Sequence, residues 1–456
     1  MESALVSPSI QVCSQYILIY LILGLAATFT PATSRLHPAA TATILALATS
    51  IQITAQNSTA LPFYLQMTAG LGAWTQFFNS LDILIHRRIS YAEHMRWKRV
   101  SADADADVHF SSRDAVCFTL WLPFNFRRIG TKWQVTPIYA FKGRTSGAGA
   151  RVLRIVPSRV QFIQERVRSV LTDLCATALV YCVCSWLAGS WRGRRRRPGT
   201  TELCAILDYT SLSPLDVPWH SLHALLPISV LLIAAIFTTE KLAYDILSIA
   251  AVSLRMSDPV DWPPFQASLR EAWTVRRFWG RFWHQAFRSF LTSNADYVMA
   301  TIARARLALP PSLSCGTNKA TRSTTSVTSP TSITSRYARY TLCFLISGTI
   351  HHLFDLGMQI PRTDTGALKV FLLQPLAFAA EDIAAYFSTR YSILARDTDT
   401  DIAVRRGIGY LWVVGFSAWT WRAWTFPMLE RALGVREPVS SGYFAWMGCG
   451  SGVDLA

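Results

Sequence analysis

The sequence predicts an all-α, polytopic membrane protein with about eight transmembrane helices, and two observations carry this prediction. Hydrophobic residues make up 51% of the 456 residues and charged residues only 16%, whereas an average soluble protein has about 25% charged residues. The apolar residues also gather in separate runs, close to the 20 or so residues that a helix needs to cross a bilayer. We therefore expect an integral, multi-pass membrane protein. The endoplasmic reticulum is predicted as its location, although composition does not itself select a membrane.

Three apolar runs predict a group of N-terminal membrane helices within residues 1–85. These runs are Val12–Thr30, Ala39–Ala55 and Leu61–Ile85. The second run is short for a span and rich in Ala and Thr, and the third is interrupted by polar residues. Neither Lys nor Arg stands between Met1 and Gln11, so the basic start of a secretory signal peptide is missing, and we expect the first helix to stay in the membrane.

Residues 86–168 are predicted to form a basic cytoplasmic loop. The stretch contains 16 Lys or Arg and 6 Asp or Glu, and it has no long apolar run. Because cytoplasmic loops of membrane proteins carry an excess of Lys and Arg, we assign this stretch to the cytoplasmic side.

Residues 169–456 are predicted to form the membrane core, with a flexible insertion at 310–336 that is rich in Ser and Thr. The apolar runs of the core are Val170–Gly189, Leu222–Phe237, Leu242–Leu254, Tyr340–Met358, Leu368–Phe387 and Gly407–Phe426. Glu240 and Lys241 separate the second run from the third, so these two form either one long helix or a helical hairpin. The arginines of 192–197 fall on the lumenal side in this topology; either one run is re-entrant or the positive-inside rule fails there.

The net charge of +16 fits two roles in such a chain, a positive-inside excess in cytoplasmic loops or attraction of an anionic substrate. Nucleic acid is the least suitable partner for a protein of this kind. The nine cysteines include no CxxC pair and no Cys/His cluster with the spacing of a metal site. We therefore expect neither a disulfide framework nor a bound metal ion.

Two adjacent histidines, His351 and His352, lie in the apolar run that starts at Tyr340. At about 1.5 Å per residue, His351 would lie roughly 16 Å along this helix, near the middle of a bilayer. An ionisable side chain at that depth is costly and indicates function, and a neutral imidazole suits a general base. Ser347 and Gly348 leave room on the preceding turn for a helix or a ligand. The alternative is a structural histidine that bonds to a neighbouring helix, and position alone does not separate the two.

A basic and aromatic block occupies residues 261–285. On a continuous helix, one face would carry four basic residues at i, i+4, i+7 and i+11, namely Arg277, Arg281, His284 and Arg288. Much of the remaining surface would be aromatic. Taken alone, this pattern favours an amphipathic helix that lies on the membrane surface. It also fits a site for a phosphorylated carrier, because guanidinium groups match phosphate oxygens.

A third polar group consists of Gln374, Glu381 and Asp382, in or near the run that starts at Leu368. We expect these side chains to face the interior of the helix bundle and to pair with a basic group. A structural role is expected for them rather than a catalytic one.

The order of these features resembles the wax synthase-like branch of the membrane-bound O-acyltransferase family. The resemblance is carried by Trp262-Pro263-Pro264-Phe265, the run Phe278–Gln285, and the Ser-Gly-x-x-His motif of Ser347, Gly348 and His351. It covers roughly the second half of the chain, and the segment 310–336 looks like an insertion relative to the family. The resemblance implies an all-α membrane fold and an acyl-CoA-dependent O-acyltransferase.

The resemblance also implies the site residues. His351 is the expected catalytic base, because the motif spacing selects it over His352. His284 would orient or polarise the acyl donor. The expected acyl-CoA-binding residues are Arg277, Arg281 and Trp283, with the arginines holding the phosphates. Acyl-CoA is expected as a co-substrate, without a permanently bound cofactor.

Within this branch, the sequence looks most like fungal O-acetyltransferases that modify terpenoids and meroterpenoids in secondary metabolism. We therefore expect transfer of an acetyl group from acetyl-CoA to a hydroxyl group of a hydrophobic alcohol in the lipid bilayer. A long-chain alcohol fatty-acyltransferase (wax ester synthase) is the alternative. A non-enzymatic polytopic transporter, with His351 as a relay group, is a second alternative, but the internal repeats that many transporters have are not visible.

Overall fold

The structure, a computed structural model, describes residues 7–101, 111–136, 156–194, 222–283, 285–308, 332–391 and 398–432. All regular secondary structure in these residues is helical, as predicted. The α-helices are α1 (Pro8–Phe29), α2 (Leu36–Asn57), α3 (Phe63–Ser80), α4 (Tyr91–Ser101), α5 (Ser112–Trp121), α6 (Arg159–Arg194), α7 (Leu222–Ser253), α8 (Val275–Arg277), α9 (Arg288–Ala308), α10 (Ile333–Gly357), α11 (Ala367–Arg390) and α12 (Asp399–Ala432). Two π-helices continue α3 and α8, at Leu81–His86 and Phe278–Phe282. Two 3-10 turns lie at Pro259–Asp261 and Leu269–Glu271.

The helices extend beyond the apolar runs that predicted them. The second run, which is short in the sequence, belongs to the 22-residue helix α2. The alternative left open around Glu240 is decided, because α7 is one continuous helix of 32 residues. Helix α10 begins before Tyr340, since the Ser332 hydroxyl accepts a hydrogen bond from the backbone N–H of Ser335 and caps the helix. The end of the predicted insertion 310–336 is therefore helical, while residues 310–331 lie outside the described residues.

Three helices of the described residues are long and apolar enough to cross a membrane, namely α1, α2 and α11. The predicted number of about eight spans is not reached by this measure. In α10, for example, the polar side chains of His351, His352 and Asp355 lower the mean hydropathy of an otherwise apolar helix. Length and composition therefore support a membrane protein with at least these three spans.

The chain divides into two compact units. The first contains residues 1–132 and 286–358, and the second contains residues 133–285 and 359–456. Helix α6 begins at Arg159, so it includes the end of the predicted cytoplasmic loop. Helices α4 and α5 also lie in the part of the chain that was predicted as loop.

A buried ion-pair network joins three segments of the first unit. The side chains of Asp82 and Arg128 are both 0% exposed, and Asp82 Oδ2 lies 2.8 Å from Arg128 Nη2. The carboxylate also accepts hydrogen bonds from Arg87 Nε at 2.7 Å and from the Ser289 hydroxyl at 2.8 Å. Arg128 Nη2 donates to Asn79 Oδ1 at 2.6 Å. The network thus ties the π-helix after α3 to the loop after α5 and to the start of α9.

Helices α6 and α7 of the second unit are joined by four charged side chains. Lys241 Nζ lies 2.6 Å from Asp173 Oδ2 and 3.0 Å from Asp245 Oδ2. Asp245 is 0% exposed and also pairs with Arg166. Because the positive and negative charges of this cluster balance, α7 tolerates Lys241 without a break.

Candidate active site

The Trp-Pro-Pro-Phe segment is held by the α6–α7 pair. Arg166 Nη2 donates to the carbonyl oxygen of Trp262 at 2.8 Å, and the Tyr244 hydroxyl donates to that of Pro263 at 2.7 Å. The Tyr244 ring stacks on Phe265, with 4.8 Å between the ring centroids. Proline has no N–H, so Pro263 and Pro264 offer the backbone's carbonyl oxygens, but no N–H groups, to side-chain partners. The motif therefore fixes the chain that leads into the basic and aromatic block.

This block does not form the continuous helix that was predicted. Helix α8 starts after Thr274, whose hydroxyl accepts from the Arg277 N–H at 3.0 Å. The following π-helix ends at Trp283, where ψ is 150°, and Arg288 begins the separate helix α9. The predicted face at i, i+4, i+7 and i+11 is therefore broken after Arg281. His284 lies outside the described residues.

Glu381 of α11 accepts hydrogen bonds at the start of α8. Its carboxylate accepts from the backbone N–H groups of Val275 and Arg276, the latter at 3.2 Å, and from Trp412 Nε1 at 3.1 Å. The neighbouring Asp382 pairs with Arg276 at 2.7 Å. Since the first N–H groups of a helix have no acceptor within the helix, Glu381 acts as a tertiary cap. The predicted pairing with a basic group is thus confirmed for Asp382, whereas Glu381 bonds to backbone and indole N–H groups.

The aromatic residues of the block pack into a cluster with α11 and α12. Trp279 stacks on Trp421 at 5.9 Å, and Trp283 meets Trp421 edge-on at 5.7 Å. Phe371 lies 5.8 Å from the Trp279 ring, and Trp279 Nε1 donates to Gln374 Oε1 at 2.8 Å. Trp421 is 1% exposed and Trp283 is 9% exposed. Trp283, a predicted acyl-CoA contact, therefore presents most of its surface to other rings.

The two arginines predicted to hold phosphate share one carboxylate. Glu271 Oε2 pairs with Arg277 Nη2 and lies 3.2 Å from Arg281 Nη1. Arg277 also donates through Nε to the Glu271 carbonyl oxygen at 3.0 Å and lies over the Trp273 ring at 4.7 Å. The Arg281 side chain is 57% exposed and that of Arg277 is 24% exposed. The sequence analysis missed Glu271, although an acid six residues before Arg277 was visible in the block.

His351 lies on α10 in the first unit and is half-buried. Its Nδ1 lies 2.7 Å from the carbonyl oxygen of Ser347, one turn earlier. Because a carbonyl oxygen only accepts, Nδ1 carries the ring proton, and a neutral imidazole then has its lone pair on Nε2. Since α10 begins at Ile333, His351 lies roughly 27 Å from the start of the helix and, as predicted, roughly 16 Å from Tyr340; its depth in a bilayer stays a prediction.

A buried acid, Asp355, lies one turn after His351 and is 1% exposed. Residues at i and i+4 share a helix face, so Asp355 falls on the face of His351, whereas His352 points about 100° away. The sequence analysis missed this acid, which the i+4 spacing within an apolar run could have revealed. Among the described residues, no group of three or more His, Cys, Asp or Glu side chains is placed to hold a metal ion.

An apolar groove of about 530 Å³ opens between α11 and α12 in the second unit. Its lining includes Leu376, Leu411, Trp412, Gly415, Phe416 and Trp419. Leu376 is 64% exposed and Leu411 is 76% exposed. Trp412 links the edge of this groove to Glu381 through the indole N–H.

Comparison with known proteins gives a family match within this part of the chain. Residues 262–373 match the membrane bound O-acyl transferase family. The matched segment starts at the Trp-Pro-Pro-Phe motif and contains all of the predicted site residues, including His351. No solved structure matches the chain.

Several fungal proteins are similar to the chain. It is 35% identical to the acetyltransferase ataH of Aspergillus terreus over 202 residues, which cover 44% of this chain and 55% of that protein. It is 31% identical to the acetyltransferase fsoF of Humicola fuscoatra over 201 residues, 44% and 43% of the two chains. It is 28% identical to the acetyltransferase eriL of Hericium erinaceus over 229 residues, 50% of each.

The chain spans about half the length of the curated relatives it matches. The resemblance predicted from the motifs is thereby confirmed: residues 262–373 match the membrane bound O-acyl transferase family, and the relatives named here are called acetyltransferases.

Proposed function

We propose that the protein is a membrane-bound O-acetyltransferase that moves the acetyl group of acetyl-CoA to a hydroxyl group of a hydrophobic terpenoid or meroterpenoid in fungal secondary metabolism. The family match over residues 262–373 and the relatives named acetyltransferases support this reaction class. The observation that carries the chemistry is the 2.7 Å contact between His351 Nδ1 and the Ser347 carbonyl oxygen, because it leaves the basic lone pair on Nε2.

His351 acts as the general base in this proposal. Nε2 takes the proton of the acceptor hydroxyl while the hydroxyl oxygen forms a bond to the thioester carbonyl carbon. The carbon–sulfur bond then breaks, and the imidazolium returns its proton to the departing sulfur. The products are the acetyl ester and free CoA, and the reaction needs no covalent acyl-enzyme. Base catalysis of this kind contributes about 10²- to 10⁴-fold to the rate.

His284 is assigned to the developing oxyanion by the family resemblance. A ring N–H aimed at the thioester oxygen would stabilise the negative charge of the tetrahedral intermediate. The substitution His284→Ala is expected to lower kcat more than it raises the KM for acetyl-CoA, because the negative charge on the thioester oxygen develops only in the transition state.

Arg277 and Arg281 are assigned to the phosphates of acetyl-CoA. Two guanidinium groups and the single carboxylate of Glu271 leave a net positive charge in this cluster. Phosphate oxygens would compete with Glu271 for the same N–H donors. We assign Trp283 to the support of this cluster, through the aromatic rings that bury it, rather than to direct contact with the nucleotide.

The groove between α11 and α12 suits a hydrophobic acceptor. Its volume of about 530 Å³ lies in the range of roughly 300–1,000 Å³ that is typical of small-molecule sites. Its lining is apolar, and α11 is long and apolar enough to cross a membrane. An alcohol dissolved in the bilayer could therefore bind there from the lipid phase.

The test is ester formation by membranes from a heterologous host fed terpenoid alcohols and either acetyl-CoA or palmitoyl-CoA. We expect acetyl ester from the wild type, a loss of at least about 100-fold for His351→Ala, and activity within a few-fold of wild type for the matched control His352→Ala. Full ester formation by His351→Ala would contradict the assignment of the base. Ester from palmitoyl-CoA alone would favour the wax ester synthase, and solute flux without ester would favour the transporter.

A further inference from the structure

A buried glutamine of α2 bonds to the turn of α10 that follows His351. Gln52 is 5% exposed, and its Nε2 donates to the carbonyl oxygen of Leu353 at 3.0 Å. Its Oε1 accepts from the indole N–H of Trp74, on α3, also at 3.0 Å. An indole N–H only donates and a carbonyl only accepts, so these two partners fix the orientation of the amide. Trp74, Gln52 and Leu353 thus form one directed chain of hydrogen bonds across three helices.

The same part of α10 lies in backbone contact with α3. A Cβ added at Gly70 would come within 3.0 Å of both the Leu353 carbonyl oxygen and the Phe354 Cα. A Cβ added at Gly357 would lie 3.6 Å from the Gly70 Cα. The backbones of α3 and α10 are thus in close contact, with the Gln52 amide beside both glycines, 3.4 and 3.7 Å from the added Cβ atoms, and this contact limits movement of α10 toward α3. The hydrogen bond from Gln52 opposes movement of α10 away from α2.

We infer that Gln52, oriented by Trp74, is a positioning residue for His351. This inference rests on the proposed role of His351 as the base. Leu353 follows His351 within the same helical turn, so a displaced Leu353 carbonyl moves the imidazole with it. A displacement of about 1 Å at a reacting group can cost on the order of 100-fold in rate, and therefore a bond that removes part of such freedom has a measurable effect.

The inference extends the functional region beyond residues 262–373. Gln52 and Trp74 lie on α2 and α3, which precede the family segment by about 200 residues of sequence. In this view the N-terminal helices hold the base in register, in addition to crossing the membrane.

The test compares Gln52→Leu with the matched control Gln66→Leu. Gln66, on α3, is 3% exposed, and its amide donates to the Leu61 carbonyl oxygen at 3.1 Å, close in sequence. We expect Gln52→Leu to lower kcat about tenfold with the KM for acetyl-CoA unchanged, because an orientation lost at the base affects the transition state and not donor binding. Gln66→Leu is expected to keep kcat within about twofold.

A second variant guards against a folding defect. Trp74→Phe removes the N–H that orients Gln52 together with part of the ring, so its activity is compared at a temperature well below its own melting temperature, and we expect it to lower kcat about threefold. Equal kcat values for Gln52→Leu and Gln66→Leu, or a loss that follows melting temperature alone, would overturn the inference while leaving the base intact. Full activity of His351→Ala would instead remove the proposed function itself.

Discussion

Replacing Asp82 by leucine is expected to destabilise the protein strongly, because its carboxylate neutralises a guanidinium group that has no access to solvent. Asp82 Oδ2 and Arg128 Nη2 lie 2.8 Å apart, and both side chains are 0% exposed. Without the carboxylate, Arg128 keeps a full charge in a site from which water is excluded. This is the condition under which the loss of one ion-pair partner costs the most.

The expected cost follows from this burial. Breaking a buried pair costs about 3–5 kcal/mol, which lowers the melting temperature of a unit of about 200 residues by roughly 10 °C. The variant Arg128→Met is expected to cost less, since Asp82 retains Arg87 at 2.7 Å and Ser289 at 2.8 Å. The double variant Asp82→Leu/Arg128→Met should lie closer to wild type, because the charge that loses its partner is then that of Arg87, whose side chain is 29% exposed to solvent.

The assay is the melting temperature of detergent-solubilised protein, followed by fluorescence-detected size-exclusion chromatography. Asp296→Leu is the matched control, because Asp296 pairs with Arg339 at 2.5 Å but both side chains are about half exposed. Exposed pairs contribute at most about 1 kcal/mol, so this control should melt near the wild type. A melting temperature of Asp82→Leu within about 2 °C of the control would refute the reasoning.

Three further predictions concern the acceptor groove, the arginine cluster and a buried histidine. Gly415 lines the groove, and an added Cβ there meets no atom within 4 Å. Gly415→Leu is therefore expected to raise the acceptor KM roughly tenfold, about 1.4 kcal/mol. The control Gly407→Leu, at a glycine that is equally open but does not line the groove, should leave the acceptor KM unchanged. Similar effects of the two substitutions would count against the groove as the acceptor site. Glu271→Gln should lower the KM for acetyl-CoA about two- to fivefold, since it removes the carboxylate that competes with phosphate for the two arginines. A raised KM for acetyl-CoA would contradict this competition. Burial lowers the pKa of His94 to about 4, so between that value and its ordinary pKa of about 6.5 the unfolded chain binds more protons. Thermal stability should therefore fall as the pH decreases from about 6.5 to about 4, and His94→Gln should weaken this dependence; an identical pH profile for the variant would exclude His94 as its source.

The apolar runs predicted the helices because a helix in a membrane or a protein core needs apolar side chains. Hydropathy does not show at which residue a helix starts. Helix α10 begins at Ile333 through the Ser332 cap, well before the apolar residues that predicted it. Glu240 and Lys241 suggested a break in α7, and the acid of α6 that pairs with Lys241, Asp173, lies 68 positions earlier in the sequence. The residues around Lys241 therefore could not reveal this partner.

The candidate site residues were predicted from motifs that are local in the sequence, and their roles stay predictions. The predicted arginine face was wrong because the chain leaves the helical conformation at Trp283, whereas periodicity assumes that a helix continues. Gln52 gave no signal at all, since its acceptor on Leu353 lies 301 positions away. His351 was selected because its motif is local in sequence, and Glu271 and Asp355 were equally local but belong to no motif, whereas the partner of Gln52 could not be read from the sequence around it.

Two hydrogen bonds to the carbonyl oxygens of Trp262 and Pro263 limit where the chain can be cut into fragments. The donors Arg166 and Tyr244 come from helices that precede residue 262, while the polypeptide passes into the other unit at 286 and returns at 359. A fragment trimmed to 262–373 would lack the donors that hold its first residues and would contain only parts of two folding units. The segment 262–373 is therefore not a module that can be moved by itself. Exchanging it between relatives would require exchanging α6 and α7 as well.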